Sequence, residues 1–265
     1  MPNSAEESVR SSDGTKISFV RLGHGKPLVL VHGSLASGEA WMPVATILAN
    51  RFTCLVMDRR GHGRSGDSPS YAIEREYDDI EAVLATAGSQ ASLLGHSYGA
   101  VCALGAAMRT QVSHLVLYEP PLPVNGSVAG GALLDYASAI QSGNLDGALA
   151  IGLSKFAGVT SEQIQALRRS PLWRKMVALA PTWTREVAAI DALGPSLARY
   201  RALLTPTLLL SGTLSPKHPL QETSEALATI LKTVQLSRLE HQGHNAHSLA
   251  PDVVAERLAA FLLSG

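Results

Sequence analysis

The sequence lacks a charge imbalance and a long hydrophobic run. Its 265 residues include 22 basic and 22 acidic side chains, so the formal net charge is zero. A neutral chain has no electrostatic footprint for DNA, RNA or an anionic membrane. No apolar run approaches the ~18 residues that a membrane span needs, and the first dozen residues are polar. We therefore expect a soluble, cytoplasmic protein with neither nucleic acid nor membrane as a partner, whose oligomeric state stays open.

Cysteines and aromatic residues are also few. Cys54 and Cys102 both lie in apolar stretches, which favours buried, unreactive thiols over a disulfide. An aromatic content of 5% provides no stacked platform for sugars or nucleotides. By contrast, hydrophobic residues make up 46% of the chain and charged residues only 17%. That balance predicts a sizeable buried core and excludes a disordered chain.

Short apolar runs alternate with longer segments of helical period along most of the chain. The runs typical of strands are 16–23, 27–33, 52–58, 91–97, 113–119, 205–212 and 233–240. Near-continuous valine and leucine runs of this kind belong to strands that are buried on both faces. Because right-handed crossovers place the intervening helices on either side, the fold class is α/β, with a mostly parallel, doubly covered sheet.

Residues 122–202 break this alternation. They contain no convincing strand, but helical segments at 130–141, 144–156, 160–168 and 170–191. Ligands of open α/β sheets bind beyond the carboxyl ends of the strands, so an insertion there is expected to form a helical cap. The remaining residues, 1–121 and 203–265, then form the core. The alternative is that the insertion is a second packing layer with no direct role.

The strongest chemical signal is the sequence Gly95-His96-Ser97-Tyr98-Gly99. It directly follows an apolar strand and opens an alanine-rich helix. A serine on such a sharp strand-to-helix turn adopts a strained backbone conformation that projects its hydroxyl from the sheet. The flanking glycines relieve the crowding of the turn. The pattern predicts that Ser97 is a nucleophile.

With this motif the sequence resembles the α/β-hydrolase family over nearly its whole length. Three further segments carry the resemblance: Val31-His32-Gly33-Ser34, the turn Asp58–Ser65, and Leu239–His244. They resemble the family's oxyanion loop, its D-x-R-G-x-G-x-S turn and the loop that delivers its catalytic histidine. The resemblance implies an α/β-hydrolase sheet with the cap inserted after the sixth strand.

The resemblance also implies roles for individual residues. His244 stands at the position of the general base that takes the serine proton, with His241 and His247 as nearby competitors. The backbone N–H groups of Ser34 and Tyr98 stand at the positions of the oxyanion hole. The Ser34 hydroxyl adds a contact there or serves only as a turn cap.

The catalytic acid is where the sequence departs from the family. Most members place an aspartate shortly after the seventh strand, and this chain has Ser215 there. The carboxylates between Ser97 and His244 are Glu119, Asp135, Asp146, Glu162, Glu186, Asp191, Glu222, Glu225 and Glu240. Glu119 ends the sixth strand, where some members, including one group of haloalkane dehalogenases, carry their acid. We therefore predict a triad of Ser97, His244 and Glu119, with a Ser97–His244 dyad as the alternative.

A serine at this turn forms an acyl-serine, which favours esters and lactones as small, largely apolar substrates. The alternatives are a non-hydrolytic lyase on the same residues, or a ligand sensor with little turnover. We expect no cofactor. The segment Gly61–Gly66 matches a dinucleotide fingerprint, but Asp67-Ser68-Pro69-Ser70 follows it where a helix is needed. We expect no metal either, although His241, His244 and His247 lie close in sequence.

Overall fold

The computed structural model of the chain describes residues 4–88 and 90–264. Its strands within those ranges are β1 (Ser4–Arg10), β2 (Lys16–Gly23), β3 (Lys26–Val31), β4 (Phe52–Met57), β5 (Ser92–His96), β6 (Leu115–Tyr118), β7 (Thr207–Gly212) and β8 (Val234–Leu239). Its α-helices are α1 (Met42–Leu48), α2 (Ile73–Ala87), α3 (Tyr98–Ala107), α4 (Leu133–Gln141), α5 (Leu145–Lys155), α6 (Ser161–Arg168), α7 (Pro171–Ala192), α8 (Glu222–Ile230), α9 (Ala246–Leu249) and α10 (Pro251–Leu262).

The strands form one sheet in the order β1-β2-β4-β3-β5-β6-β7-β8. β2 pairs antiparallel with β1 and β4, and every other pair is parallel. The predicted α/β class with a mostly parallel sheet is confirmed. The carboxyl ends of β3, β5, β6, β7 and β8 consequently lie along one edge of the sheet, and the segments that follow them can meet there.

Both faces of the sheet are buried, which explains why the strands read as continuous apolar runs. Successive side chains of a strand point to opposite faces. One face packs against α2, α3 and α8 with Val29, Val31, Leu93, Leu115, Leu117 and Leu209. The other packs against α1 and α10 with Leu28, Leu30, Leu94, Val116, Leu208 and Leu210. Because these strands are apolar on both faces, a one-residue slip would leave each of them apolar, and the polarity pattern alone does not specify their register.

The edge strand β1 was not predicted from the sequence. It pairs along its whole length with β2, from Ser4 opposite Leu22 to Arg10 opposite Lys16. Its side chains are exposed or half-buried, and charged residues such as Glu6 and Glu7 suit an edge strand that must not pair with another chain. A strand held mainly by backbone hydrogen bonds leaves little hydrophobic pattern to read.

The two cysteines are buried and free, as predicted. Burial raises the pKa of the Cys54 thiol to about 12, which keeps it protonated and unreactive.

Between β6 and β7 the chain forms the helices α4 to α7, with an apolar cluster of their own. The rings of Tyr136, Phe156 and Trp183 lie within 5.9 Å of one another, centroid to centroid. Leu35, in the loop after β3, is buried in the same cluster. The predicted helical segments are therefore present. The division into a core of 1–121 and 203–265 and a cap of 122–202 stays a prediction.

The longest helix of the described residues, α7, is too polar for a bilayer, and none of the others is both long and apolar enough to span one.

Candidate active site

Ser97 lies in a strained turn between β5 and α3. Its backbone has φ +53° and ψ −125°, a conformation that costs a non-glycine residue about 1–3 kcal/mol. The turn is tight because its two glycines touch other backbone. A Cβ on Gly95 would collide with the carbonyl oxygen of Gly99, and a Cβ on Gly99 with that of His32. The structure therefore presents the predicted nucleophile motif as a strand–turn–helix in which both glycines are required.

The loop after β3 lies against this turn. A Cβ placed on Gly33 would be 2.9 Å from the Cβ of Ser97, so the adjoining Gly33–Ser34 peptide is close to the serine. Tyr98 is the first residue of α3, and the first N–H groups of a helix have no intrahelical acceptor. Neither the Ser34 nor the Tyr98 amide donates a hydrogen bond to any described residue. Two free N–H groups thus flank Ser97, as an oxyanion hole requires.

His244 and Glu119 are in direct contact. Nδ1 of His244 lies 2.6 Å from Oε2 of Glu119, and the carboxylate is fully buried while the imidazole is 24% exposed. Oε1 of Glu119 accepts from the amide of Gly212 at 2.7 Å and from the Ser211 hydroxyl at 3.3 Å. A carboxylate facing Nδ1 keeps the proton on that nitrogen, which leaves Nε2 as a lone-pair acceptor. The predicted acid and base are brought together from residues 125 positions apart.

Glu119 is itself held in an unusual backbone conformation. Its φ is +49°, in the left-handed region that favours glycine, and its amide donates to the carbonyl oxygen of Leu210 at 3.1 Å. A strained, fully buried and ionisable residue is costly to the fold. Such features concentrate at functional sites.

Ser215, at the position of the family's usual aspartate, lies close to Gly212, whose amide binds the Glu119 carboxylate. Its hydroxyl is buried and has no hydrogen-bond partner among the described residues. A Cβ placed on Gly212, whose amide binds Glu119, would be 2.9 Å from that hydroxyl. Gly212 therefore connects the two possible origins of an acid, the end of β6 and the loop after β7.

The competing histidines lie elsewhere in the arrangement. His241 is exposed, and His247 is buried with its ring 4.8 Å from Trp41 and 4.3 Å from His96. A further histidine, His96, contacts the segment that carries His244, because its Nε2 lies 2.9 Å from the carbonyl oxygen of His244. No group of three or more His, Cys, Asp or Glu side chains in residues 4–88 and 90–264 is arranged to hold a metal ion.

His247 should make the protein acid-sensitive. Burial and the neighbouring His244 lower the pKa of His247 to about 3, so between pH 3 and 6.5 the unfolded chain binds a proton there that the folded chain does not. Stability then rises with pH across that window. We expect the free-energy cost of His247→Leu to shrink by roughly 2–3 kcal/mol between pH 7 and pH 4.5. Urea unfolding of both proteins at the two pH values measures this difference, and a pH-independent difference contradicts it.

The segment Gly61–Gly66 is a turn, as predicted. Gly61 and Gly63 have φ of +74° and +52°, and the next helix after this turn, α2, begins only at Ile73. Asp58 holds the turn together by accepting from the amides of Gly38 at 2.8 Å and Arg64 at 2.9 Å. A strand–turn–helix for a pyrophosphate is not formed here.

Sequence reasoning missed a buried ionic cluster beside the site. Arg59 forms ion pairs with Glu76 of α2 at 2.8 Å and with Glu186 of α7 at 2.5 Å, and all three side chains are fully buried. The guanidinium also lies 4.5 Å from the centre of the Tyr98 ring. One signal was available: Glu186 is three residues after Trp183 and four before Ile190, on the apolar side of α7.

A doubly covered, mostly parallel sheet with a serine elbow and a histidine paired to a buried glutamate is typical of one class of hydrolytic enzymes. Residues 28–257 match the model of the alpha/beta hydrolase family. An alpha/beta hydrolase of Sphaerobacter thermophilus has the same fold, with a TM-score of 0.88 and 33% identity over 96% of this chain and 99% of that one. The chain belongs to the alpha/beta hydrolase family.

Two further relatives illustrate the range of this family. An (E)-2-((N-methylformamido)methylene)succinate hydrolase of Acinetobacter baylyi is 24% identical over 97% of both chains. The crystal structure of an esterase from a Rhodococcus species gives a TM-score of 0.74 at 24% identity, over 98% of both chains. The comparisons support a hydrolase and give its fold, but they leave the substrate open.

Proposed function

We propose that this protein is a serine hydrolase that cleaves a small, largely apolar carboxylic ester or lactone through an acyl-Ser97 intermediate. The observation that carries the proposal is the 2.6 Å contact between Nδ1 of His244 and the buried carboxylate of Glu119. It lies at the sheet edge where Ser97 occupies its strained turn. Nucleophile, base and orienting acid are the parts that acyl transfer needs.

In the first half of the reaction, the Ser97 hydroxyl attacks the substrate carbonyl while Nε2 of His244 takes its proton. Glu119 keeps the imidazole in the required tautomer and stabilises the imidazolium that forms. The amides of Ser34 and Tyr98 bind the developing oxyanion. The intermediate collapses by breaking the bond to the alkoxide, which leaves with the proton from His244.

In the second half, His244 takes a proton from water, which attacks the acyl-Ser97 carbonyl. The second tetrahedral intermediate collapses to a carboxylic acid and returns the proton to the serine oxygen. With a lactone, the alkoxide and the acid belong to one molecule, so the product is a hydroxy acid. The cycle needs water alone and no cofactor.

The surroundings of the site favour an apolar acyl group. Leu35, directly after Ser34, packs into the apolar cluster of α4 to α7, so the oxyanion loop borders hydrophobic side chains. Hydrophobic walls with a few oriented polar groups are typical of small-molecule sites.

A fluorophosphonate probe together with a substrate panel tests this proposal. We expect stoichiometric labelling of Ser97, found by peptide mass spectrometry, and turnover of p-nitrophenyl esters and lactones that is fastest for short, uncharged acyl chains. Ser113, a serine hydrogen-bonded to Ser92 away from the elbow, is the internal control and should stay unlabelled. Turnover of a cyanohydrin without labelling indicates a lyase instead. A ligand that raises the melting temperature without being turned over indicates a sensor.

A further inference from the structure

The peptide between Gly33 and Ser34 is held from one side. The carbonyl oxygen of Gly33 lies 2.8 Å from Nδ1 of His32 and accepts from Nη1 of Arg59 at 3.2 Å. The amide of Arg59 donates to Nε2 of His32 at 3.0 Å, so that nitrogen is an acceptor. The proton of the neutral ring is therefore on Nδ1, which donates to Gly33. Burial lowers the pKa of His32 well below its ordinary value, so the ring stays in this form.

Holding that oxygen also fixes the amide on the other side of the peptide. In a planar trans peptide, the C=O of Gly33 and the N–H of Ser34 point in opposite directions. Two donors on the oxygen therefore set the direction of the Ser34 N–H. A shift of the peptide plane would turn this donor away from a developing oxyanion.

The orientation of Arg59 depends in turn on two carboxylates from different parts of the fold. Glu76 of α2 accepts from Nε at 3.1 Å and from Nη2 at 2.8 Å, and Glu186 of α7 accepts from Nη2 at 2.5 Å. The third nitrogen, Nη1, is left for Gly33. The face of the guanidinium packs on the Tyr98 ring. Arg59 therefore contacts one residue of the proposed oxyanion hole directly and the peptide of the other, Ser34, through the carbonyl oxygen of Gly33. Glu186 joins the Arg59 guanidinium directly to helix α7.

We propose that Glu186 is a positioning residue that couples helix α7 to the oxyanion hole through Arg59 and the Gly33–Ser34 peptide. The inference rests on the proposed function, because it assigns the Ser34 amide a role in catalysis. It goes further by making the transition-state donor depend on a side chain of the inserted helices. Correct docking of α7 then completes the hole.

Removing the charge of Glu186 has opposite expected effects on the oxyanion, depending on whether Glu186 positions Arg59 or acts only through its electric field. Burial opposes ionisation, but the Arg59 guanidinium, His62 and the Ser34 hydroxyl lower the pKa of Glu186 below its ordinary value, so it is ionised at neutral pH. Burial and Arg59 lower the pKa of His62, which leaves it neutral. Replacing Glu186 by glutamine removes one negative charge from the cluster. Removing this charge favours an oxyanion through space, whereas losing the position of Arg59 disfavours it.

The test is Glu186→Gln, which keeps the shape of the side chain and removes its charge. We expect kcat for p-nitrophenyl butyrate to fall about 10- to 100-fold, below the effect of losing an oxyanion donor outright, with KM changed less than about 3-fold. The Ki of an alkyl trifluoromethyl ketone, whose serine adduct places an oxyanion in the hole, should rise by the factor lost in kcat/KM. If Glu186 only stabilises the fold, Glu186→Gln should lower the melting temperature, and the rise in Ki should not equal the loss in kcat/KM.

Asp191→Asn is the matched control, an acid-to-amide change on the same helix. Asp191 accepts from the amide of Val128 at 2.7 Å and from the Ser127 hydroxyl at 2.5 Å, so it anchors α7 without reaching Arg59. We expect Asp191→Asn to keep kcat/KM within about 2-fold. A Glu186→Gln variant that loses no more kcat than this control, or that gains kcat, overturns the inference.

A second variant and a wild-type control keep the result unambiguous. If Glu186→Gln fails to fold, Glu186→Asp replaces it, because aspartate keeps the charge but has a shorter reach. We expect a smaller loss in kcat/KM with an equal rise in Ki. A variant in which the two factors differ overturns the inference. Wild-type protein that resists the fluorophosphonate and turns over no ester contradicts the proposed function itself. Labelled, active wild type with an unaffected Glu186→Gln contradicts only the coupling.

Discussion

Ser97→Ala is expected to lower kcat for p-nitrophenyl butyrate by about 10⁶-fold, the size of effect that follows loss of the nucleophile in a serine triad. The alanine variant cannot form an acyl-enzyme, so any remaining rate comes from water and the oxyanion donors. KM should change little, because the hydroxyl contributes mainly to the transition state. Initial rates of p-nitrophenolate release, measured on protein free of the wild type, give the comparison.

Ser97→Gly provides the control for this variant. Both substitutions remove the hydroxyl, and both should be equally inactive. Glycine accepts a positive φ at little cost whereas alanine does not, so Ser97→Gly should be the more stable of the two by about 1–3 kcal/mol in urea unfolding. An alanine variant that keeps more than a hundredth of the wild-type rate rules out Ser97 as the nucleophile. Equal stabilities would contradict the strain.

The core of the fold was predictable because its strands are buried on both faces. Leu28–Val31, Leu93–Leu94 and Leu208–Leu210 are apolar whichever way they face, so composition alone marks them. β1 escaped because its residues are polar and its pairing with β2 is made by the backbone. Hydrophobic patterning detects burial, and an edge strand has little of it.

The site divides in the same way between local and long-range information. The turn at Ser97 was predictable from consecutive residues, because both glycines are needed within one tight bend. The partner of His244 was not predictable in this way, because its contact with Glu119 joins residues 125 positions apart and depends on β6 lying beside β7. The position of Glu119 at a strand end was the only local hint. The position of Glu186 on the apolar side of α7 indicated burial, but nothing in the local sequence indicated its contact with Arg59, 127 positions away.

Glu119→Gln is expected to lower kcat by about 10⁴-fold, as neutralising the acid of a serine triad does. The structure supplies the reason. The amide of Gly212 donates to Oε1 at 2.7 Å, so the glutamine will turn its oxygen there and its NH₂ group towards Nδ1 of His244. Nδ1 must then accept, which places the proton on Nε2, where the base should receive one. Activity that stays within about tenfold of wild type would instead favour the Ser97–His244 dyad.

A second carboxylate at Ser215 should restore part of this loss. The Ser215 hydroxyl lies close to Gly212 and has no partner among the described residues. Because the amide of Gly212 binds the Glu119 carboxylate, an aspartate at Ser215 would begin close to the missing acid. In the Glu119→Gln background we expect Ser215→Asp to recover kcat by about a hundredfold, less than fully because the new geometry is not optimised. Ser215→Asn, of nearly equal size and without charge, should recover nothing.

The stability of the single variant Ser215→Asp tests whether the introduced carboxylate lies close to Glu119. With Glu119 present, two carboxylates would share one buried site, and close like charges raise the pKa of one of them. We expect this variant to be less stable than wild type at pH 8 and to regain stability as the pH falls, because protonation relieves the repulsion. In the Glu119→Gln background that repulsion is absent, so the pH-dependent loss should vanish. Destabilisation that persists there means that the introduced carboxylate does not reach the site of the missing acid.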